Sequence, residues 1–183
     1  MSHKMHFRHG CVGAAKSANL LMVAFTYERQ GKKVLTIKPK KDTQFGFDMI
    51  KSRAGFERKA DIVVEKPEDI PTDCKGIACI LVDEAQFLNA ECIDRLSQLR
   101  KYAAIICYGL RTDFKTQLFE GSKRLMEVAN FIEPVDITCA KCDRLAIFNL
   151  RHDSTGKKIM DGPQIQLGTE EMYSPVCFDH YYE

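Results

Sequence analysis

Up to about residue 136 the chain repeats a short apolar run followed by a helical pattern. The runs are "KMHFR", "SANLLMVAFTYERQG", "KVLTIKP", "IACILVDE", "NAECIDRLSQLRKY", "AAIICYGL" and "GSKRLMEVAN", in that order. Strand followed by helix builds β-α-β units, and these give an α/β fold: a mostly parallel sheet flanked by helices. In the first helix Leu20, Val23, Ala24 and Tyr27 recur at i, i+3, i+4 and i+7, which predicts one buried stripe. That helix is expected to begin at Ser17 and to stop at Gly31. A second helix is expected to begin at Asn89, with Glu91 in its first turn and Ile93, Leu96 and Leu99 facing the sheet. After Asp136 the texture changes to alternating strands, glycine turns and cysteines. We therefore expect two domains, 1–136 and 137–183.

A chain of 183 residues has room for one good core and a minor module. Its formal charge of +2 supplies no global attraction to nucleic acid. "IACILV" and "AAIICY" fall far short of the roughly 20 residues that span a bilayer, and "MSHKMHFRHG" lacks the apolar core of a secretion signal. A cytoplasmic protein with no nucleic-acid or membrane partner is expected. Of eight cysteines, Cys74, Cys79 and Cys107 lie in or beside apolar runs, where a thiol acts as a small hydrophobe.

Between the first strand and the first helix stands "GCVGAAKS": Gly10, Cys11, Val12, Gly13, Ala14, Ala15, Lys16 and Ser17. It follows the phosphate-cradling pattern G-x-x-x-x-G-K-[ST] except at Ala15, where the pattern has glycine. Amides at a helix start bind phosphate oxygens, a lysine reaches the outer phosphates, and a hydroxyl holds Mg²⁺. The competing reading is an ordinary strand-to-helix turn. A second feature is "CILVDEAQF", an apolar strand that ends in adjacent acids. Asp83 there suits Mg²⁺, and Glu84 suits a base toward a hydroxyl nucleophile. Taken alone, such a pair could be a solvated acidic turn.

The tail carries Cys139-x-x-Cys142 and, much later, Cys177-x-x-His180. Two pairs of soft ligands at this spacing predict a tetrahedral Zn²⁺ site. With all four positions filled by protein, the metal is expected to be structural, holding together a module too small for a core of its own.

In this order and at these separations, the three features resemble the zinc-containing (type II) thymidine kinases. The likeness runs from Phe7 to Tyr182 and is most specific at "DEAQF", "CYGLRTDF", "LFEGSKRL", "ITCAKC" and "EEMYSPVCFDHY". The resemblance implies a P-loop NTPase-like domain with a small zinc-binding lasso domain. It further implies transfer of the ATP γ-phosphoryl group to the 5′-hydroxyl of thymidine, deoxyuridine serving as a second substrate. The loop from Gly10 to Ser17, with Asp83, Glu84, Ala85 and Gln86, would form the nucleotide site. Ser17 and Asp83 would hold Mg²⁺, and Glu84 would accept the hydroxyl proton. Phe87, Leu110, Phe114, Phe119, Asn149 and Tyr173, with Gly168 and Thr169 of the lasso "QLGTEEMYSP", would surround the nucleoside. A homotetramer inhibited by its end-product triphosphate is expected on the same grounds. The chain departs from the family pattern at Ala15, at Val12 and at Gln44, where the family has an arginine that could neutralise the transferred group; Lys40, Lys41 and Arg53 are the nearby cations. Two other readings stand beside the kinase. One is a nucleoside- or nucleotide-binding relative with weakened chemistry; the other is a zinc-ribbon protein acting on nucleic acid.

Overall fold

The computed structural model describes residues 2–43, 45–164 and 172–183. Its main sheet has six strands in the order β5-β2-β6-β7-β1-β8, every neighbouring pair parallel. These strands are β1 (Met5–His9), β2 (Lys33–Pro39), β5 (Ile62–Val64), β6 (Ile77–Val82), β7 (Ala104–Gly109) and β8 (Phe131–Pro134). Helix α1 (Lys16–Arg29) covers one face; α2 (Ala90–Gln98) and α3 (Glu120–Val128) cover the other. Side chains of a strand alternate between faces, so Cys79 and Leu81 of β6 meet Leu20, Leu21 and Ala24 of α1. Ile80 and Val82 meet Ile93, Leu96 and Leu125 on the opposite side. With both faces buried, these strands must be apolar throughout, which is why "IACILV" shows no alternation.

The expected strands and helices of this part are present. Asn89 caps α2, its side chain accepting from Cys92 N at 2.8 Å, and Ile93, Leu96 and Leu99 are buried. Helix α1 begins one residue before Ser17, after Ala15, and Gly31 follows its end at φ +71°. Unforeseen was an antiparallel hairpin, β3 (Met49–Lys51) with β4 (Glu57–Lys59), which adds Ile50 and Ala60 to the α1 face.

In the tail, β9 (Phe148–Arg151) pairs antiparallel with β10 (Tyr173–Val176). Cys139, Leu150, Val176, Cys177 and Tyr181 form a separate small cluster. The sequence pattern predicted no helix here, yet α4 (Phe178–Tyr182) closes the chain. One helical turn brings positions i and i+3 to the same side, and Cys177 and His180 need that placement to share a ligand site.

Candidate functional site

Strand β1 ends at His9 and the chain turns at once into the loop 10–17. A side chain at Gly10 would put its Cβ 2.4 Å from Val135 O, so only glycine lets the loop pass. Gly13 (φ +82°) and Ala15 (φ +55°, ψ +27°) both take left-handed conformations that curl the loop ahead of α1. For alanine this costs roughly 1–2 kcal/mol. Lys16 is 7% exposed and donates from Nζ to Gly10 O at 3.0 Å and Cys11 O at 2.8 Å, so its ammonium lies across the ring. Ser17 Oγ donates to Asp83 Oδ1 at 3.1 Å, joining the loop to the carboxyl end of β6. A cavity of about 280 Å³ opens here, lined by residues 12–18 together with Glu84, Leu110, Phe45 and Arg53.

Two acids on this floor are unusual. Burial pushes the carboxyls of Asp83 and Glu84 above the ordinary range, and each is raised further by a neighbouring carboxylate. Lys16 opposes both shifts. Glu84 sits at φ +47° and accepts from Gln86 Nε2 at 2.5 Å, while Gln86 Oε1 accepts from Leu110 N at 3.0 Å. Gln86 thus fastens the acid to the residue that follows β7. A hydroxyl and a carboxylate at 3.1 Å form a hard-oxygen pair suited to a magnesium ion, beside a carboxyl that can take a proton.

The aromatic residues of the expected wall pack in two pairs. Phe114 and Phe119 are buried; Phe114 meets Tyr173 edge-on at 6.3 Å, and Phe119 meets Phe87 edge-on at 6.0 Å. Tyr181 Oη donates to Phe114 O at 2.5 Å, tying this wall to the tail. Phe87 also lines a second cavity of about 220 Å³ with Lys40 and Lys41. Asn149 is buried, and its Oδ1 accepts from Val12 N at 2.8 Å. Gly168, Thr169 and Gln44 lie outside the described residues.

The four predicted tail ligands converge. Their donor atoms all lie within 4.8 Å of one another, with Cys142 Sγ to Cys177 Sγ at 3.8 Å, Cys139 Sγ to His180 Nδ1 at 3.4 Å and Cys177 Sγ to His180 Nδ1 at 3.3 Å. Ligands about 2.0 to 2.3 Å from a tetrahedral zinc stand about 3.3 to 3.8 Å apart, so the donor set fits that metal. Burial pushes the Cys139 thiol up, but hydrogen bonds from the backbone at Cys177 and Lys141 and from His180 and Cys142 outweigh it and hold it at about 6. A thiolate is the form that binds metal.

The family model for thymidine kinase matches residues 3–181. The chain belongs to the thymidine kinase family. A thymidine kinase of Streptococcus gordonii is 37% identical over 186 residues, covering 98% of this chain and 96% of that one. One from Lactobacillus johnsonii is 34% identical over 194 residues, covering 98% and 96%. Among solved structures, a Pif1 helicase from Candida albicans aligns over 73% of this chain and 36% of its own, at TM-score 0.42 and 11% identity. That likeness is too distant to add to the assignment.

Against the family pattern, the structure sorts the three nearby cations. Arg53 lines the loop cavity. Lys40 pairs with Glu65 at 2.6 Å and, with Lys41, lines the other one. Lys38 was missed by the sequence reading. It is fully buried, pairs with Asp42 at 2.9 Å and donates to Gly46 O and Met49 O, so it holds the segment that leads to the β3–β4 hairpin. Its only signal was a charge inside "KVLTIKP". No helix among the described residues is long and apolar enough to cross a membrane.

Proposed function

We propose that this member of the thymidine kinase family transfers the γ-phosphoryl group of ATP to the 5′-hydroxyl of thymidine, and accepts deoxyuridine as well. The observation that carries the reading is the 3.1 Å bond between Ser17 and Asp83, which joins the loop after β1 to the acid pair after β6, with Glu84 lining the loop's cavity. Whole-length relatives named thymidine kinase support it over a binding protein with faded chemistry.

The loop amides and Lys16 hold the triphosphate, and Arg53 stands across the same cavity as a further cation. Mg²⁺, held by Ser17 and Asp83, would supply charge neutralisation on the phosphates. Glu84 accepts the proton of the 5′-hydroxyl as its oxygen attacks the γ-phosphorus in line. The bond to the β,γ-bridging oxygen breaks, and ADP leaves. Gln86 keeps Glu84 oriented. Phe87, Leu110, Phe114, Phe119 and Tyr173 enclose a deoxynucleoside, and a tight apolar pocket favours a pyrimidine over a purine by size. Zn²⁺ at Cys139, Cys142, Cys177 and His180 has a structural role in a tail module that we place at residues 137–183. Residues 1–136 form the ATP-binding unit.

The same reading makes the protein a cytoplasmic homotetramer. Exposed apolar side chains on α1 (Met22, Phe25) and on the edge strand β8 (Phe131, Ile132) support self-association. A coupled ADP-release assay across the four natural deoxynucleosides tests the activity. Thymidine alone among them is expected to drive release, and Glu84→Gln should slow it roughly 10²- to 10⁴-fold without unfolding the chain. Folded, zinc-loaded protein that releases no ADP with any of them would refute the proposal.

A further inference from the structure

Along β2, Val34 packs on the α1 side, so Thr36 and Lys38 fall on that side as well. The β3–β4 hairpin covers the same side through Ile50 and Ala60. Lys38 stands at the carboxyl end of the strand with its side chain fully buried. An ammonium has three N–H donors, and burying it is costly unless each finds an acceptor. Here each does: Asp42 Oδ2 at 2.9 Å, Gly46 O at 3.1 Å and Met49 O at 2.8 Å. With its three protons committed, Lys38 has none left for a phosphate; instead it fixes one short segment at residues 42, 46 and 49. The hairpin is a separate two-stranded sheet, so ladder bonds to the six strands do not set its position. Arg58 of β4 pairs with Glu28 of α1 at 2.6 Å, while the Met49 anchor holds the start of β3, the strand that leads to the turn. Lys51, Ser52, Arg53 and Ala54 of that stretch, with Phe45 from between the first two anchors, line the cavity at the phosphate loop. A buried ion pair adds little net stability, because desolvation offsets its attraction. Its use here is geometric.

We propose that Lys38 is a positioning residue of the triphosphate site: its ammonium pins Asp42, Gly46 and Met49 so that the hairpin turn presents Arg53 to the phosphates. This rests on the kinase reading above and adds to it what seats the outer wall of the donor's cavity. Lys38 touches no substrate and acts through the turn, in which Arg53 carries the planar guanidinium that matches phosphate oxygens. Loosening the pin weakens MgATP well before it weakens the acceptor nucleoside.

The test uses the zinc-loaded full chain. Lys38→Met keeps the stem and removes the ammonium, Arg53→Met removes the guanidinium, and a third variant carries both changes. Each is titrated with a non-hydrolysable MgATP analogue, and steady-state constants are measured for ATP and thymidine. Lys38→Met is expected to raise the dissociation constant of the analogue and KM for ATP about tenfold, equivalent to about 1.4 kcal/mol, with KM for thymidine within about threefold. Because both residues act through one contact, the double variant should bind the analogue no more than about threefold worse than the weaker single variant. A double variant weakened by the full product of the two single effects would show independent action and overturn the proposal. A merely structural role lowers the active fraction, and so kcat, without moving the analogue's dissociation constant; that result, or equal rises in both KM values, overturns it too. The analogue titration stands whether or not thymidine is the acceptor, so failure of the kinase reading is seen separately. If Lys38→Met does not fold because Asp42 is left buried without its partner, Lys38→Met combined with Asp42→Asn takes its place. Should that misfold as well, amide exchange in the unmodified protein decides. The amides of Arg53 and Ala54 are expected to slow severalfold when the analogue binds, and unchanged exchange removes the basis of the inference.

Discussion

In the sheet, burial pushes the Cys79 thiol up to about 11 and Cys107 higher still, whereas in the tail Cys139 is held down at about 6. The residue type is the same and little of any of the three is exposed, but Cys79 and Cys107 lie deep in the sheet whereas Cys139 lies near the surface of its module. What differs is the surroundings. Cys79 and Cys107 lie among Leu20, Leu81 and Ile105, where an apolar environment penalises the thiolate. Cys139 lies among backbone N–H donors, an imidazole and two other sulfurs. The sheet is held by continuous apolar packing on two faces, with its cysteines serving as small hydrophobes. Among the described residues the tail cluster has five buried members, two of them candidate zinc ligands, so bonds to a zinc ion would make up for the small core.

The sharpest way to break this contrast is to remove one ligand. Cys177→Ser should release the tail, because a structural zinc contributes on the order of 10 kcal/mol to a small module. Limited proteolysis is expected to cut within residues 139–183 while the far-UV signal of the sheet persists. A variant whose tail stays protected would show that its apolar cluster suffices.

Alkaline pH tests the sheet's side of the comparison. Its raised thiols keep protons that the unfolded chain releases, so stability falls as pH rises from the ordinary thiol value of 9.0 toward about 11 for Cys79. The sign is fixed by the folded state binding more protons over that window. Urea melts between pH 8 and 11 should show a loss on the order of 2 kcal/mol from Cys79, absent in Cys79→Ala. In zinc-stripped protein at pH 8, iodoacetamide should modify Cys139 well before Cys79 or Cys107. The reverse order would remove the contrast.

The smallest effect is expected at the loop that joins the two regions. Ala15 carries a left-handed backbone that glycine adopts without a penalty, so Ala15→Gly should tighten binding of an MgATP analogue severalfold, from about 1 kcal/mol of relieved strain. Calorimetric titration reads this directly. Unchanged affinity would mean that the loop pays the strain equally in both states.

How much was legible follows the range of each interaction. "GCVGAAKS" between strand and helix, the acids ending "CILV", the Asn89 cap and the Cys/His spacing are local patterns, and the structure has them as expected. The β3–β4 hairpin was not visible because its strands are three residues each and carry charges. Helix α4 was hidden because its five residues lie below the length at which a helical period can be read. Nothing in "KVLTIKP" marks Lys38 for burial; only the folded chain shows Asp42 and two carbonyls closing over it. The bond from Val12 N to Asn149 Oδ1 spans 137 residues, beyond the reach of any periodicity.

By itself the amino-acid order determined the parallel sheet, the place of "GCVGAAKS" at a helix start and the two pairs of candidate metal ligands, since each depends on neighbours a few residues apart. Tertiary structure alone decided that Ser17 meets Asp83, that Arg53 and not Lys40 lines the loop's cavity, and that β9 braces Val12. Those contacts join segments far apart in the chain, and their geometry exists only once both faces of the sheet are covered and the tail is folded against the loop.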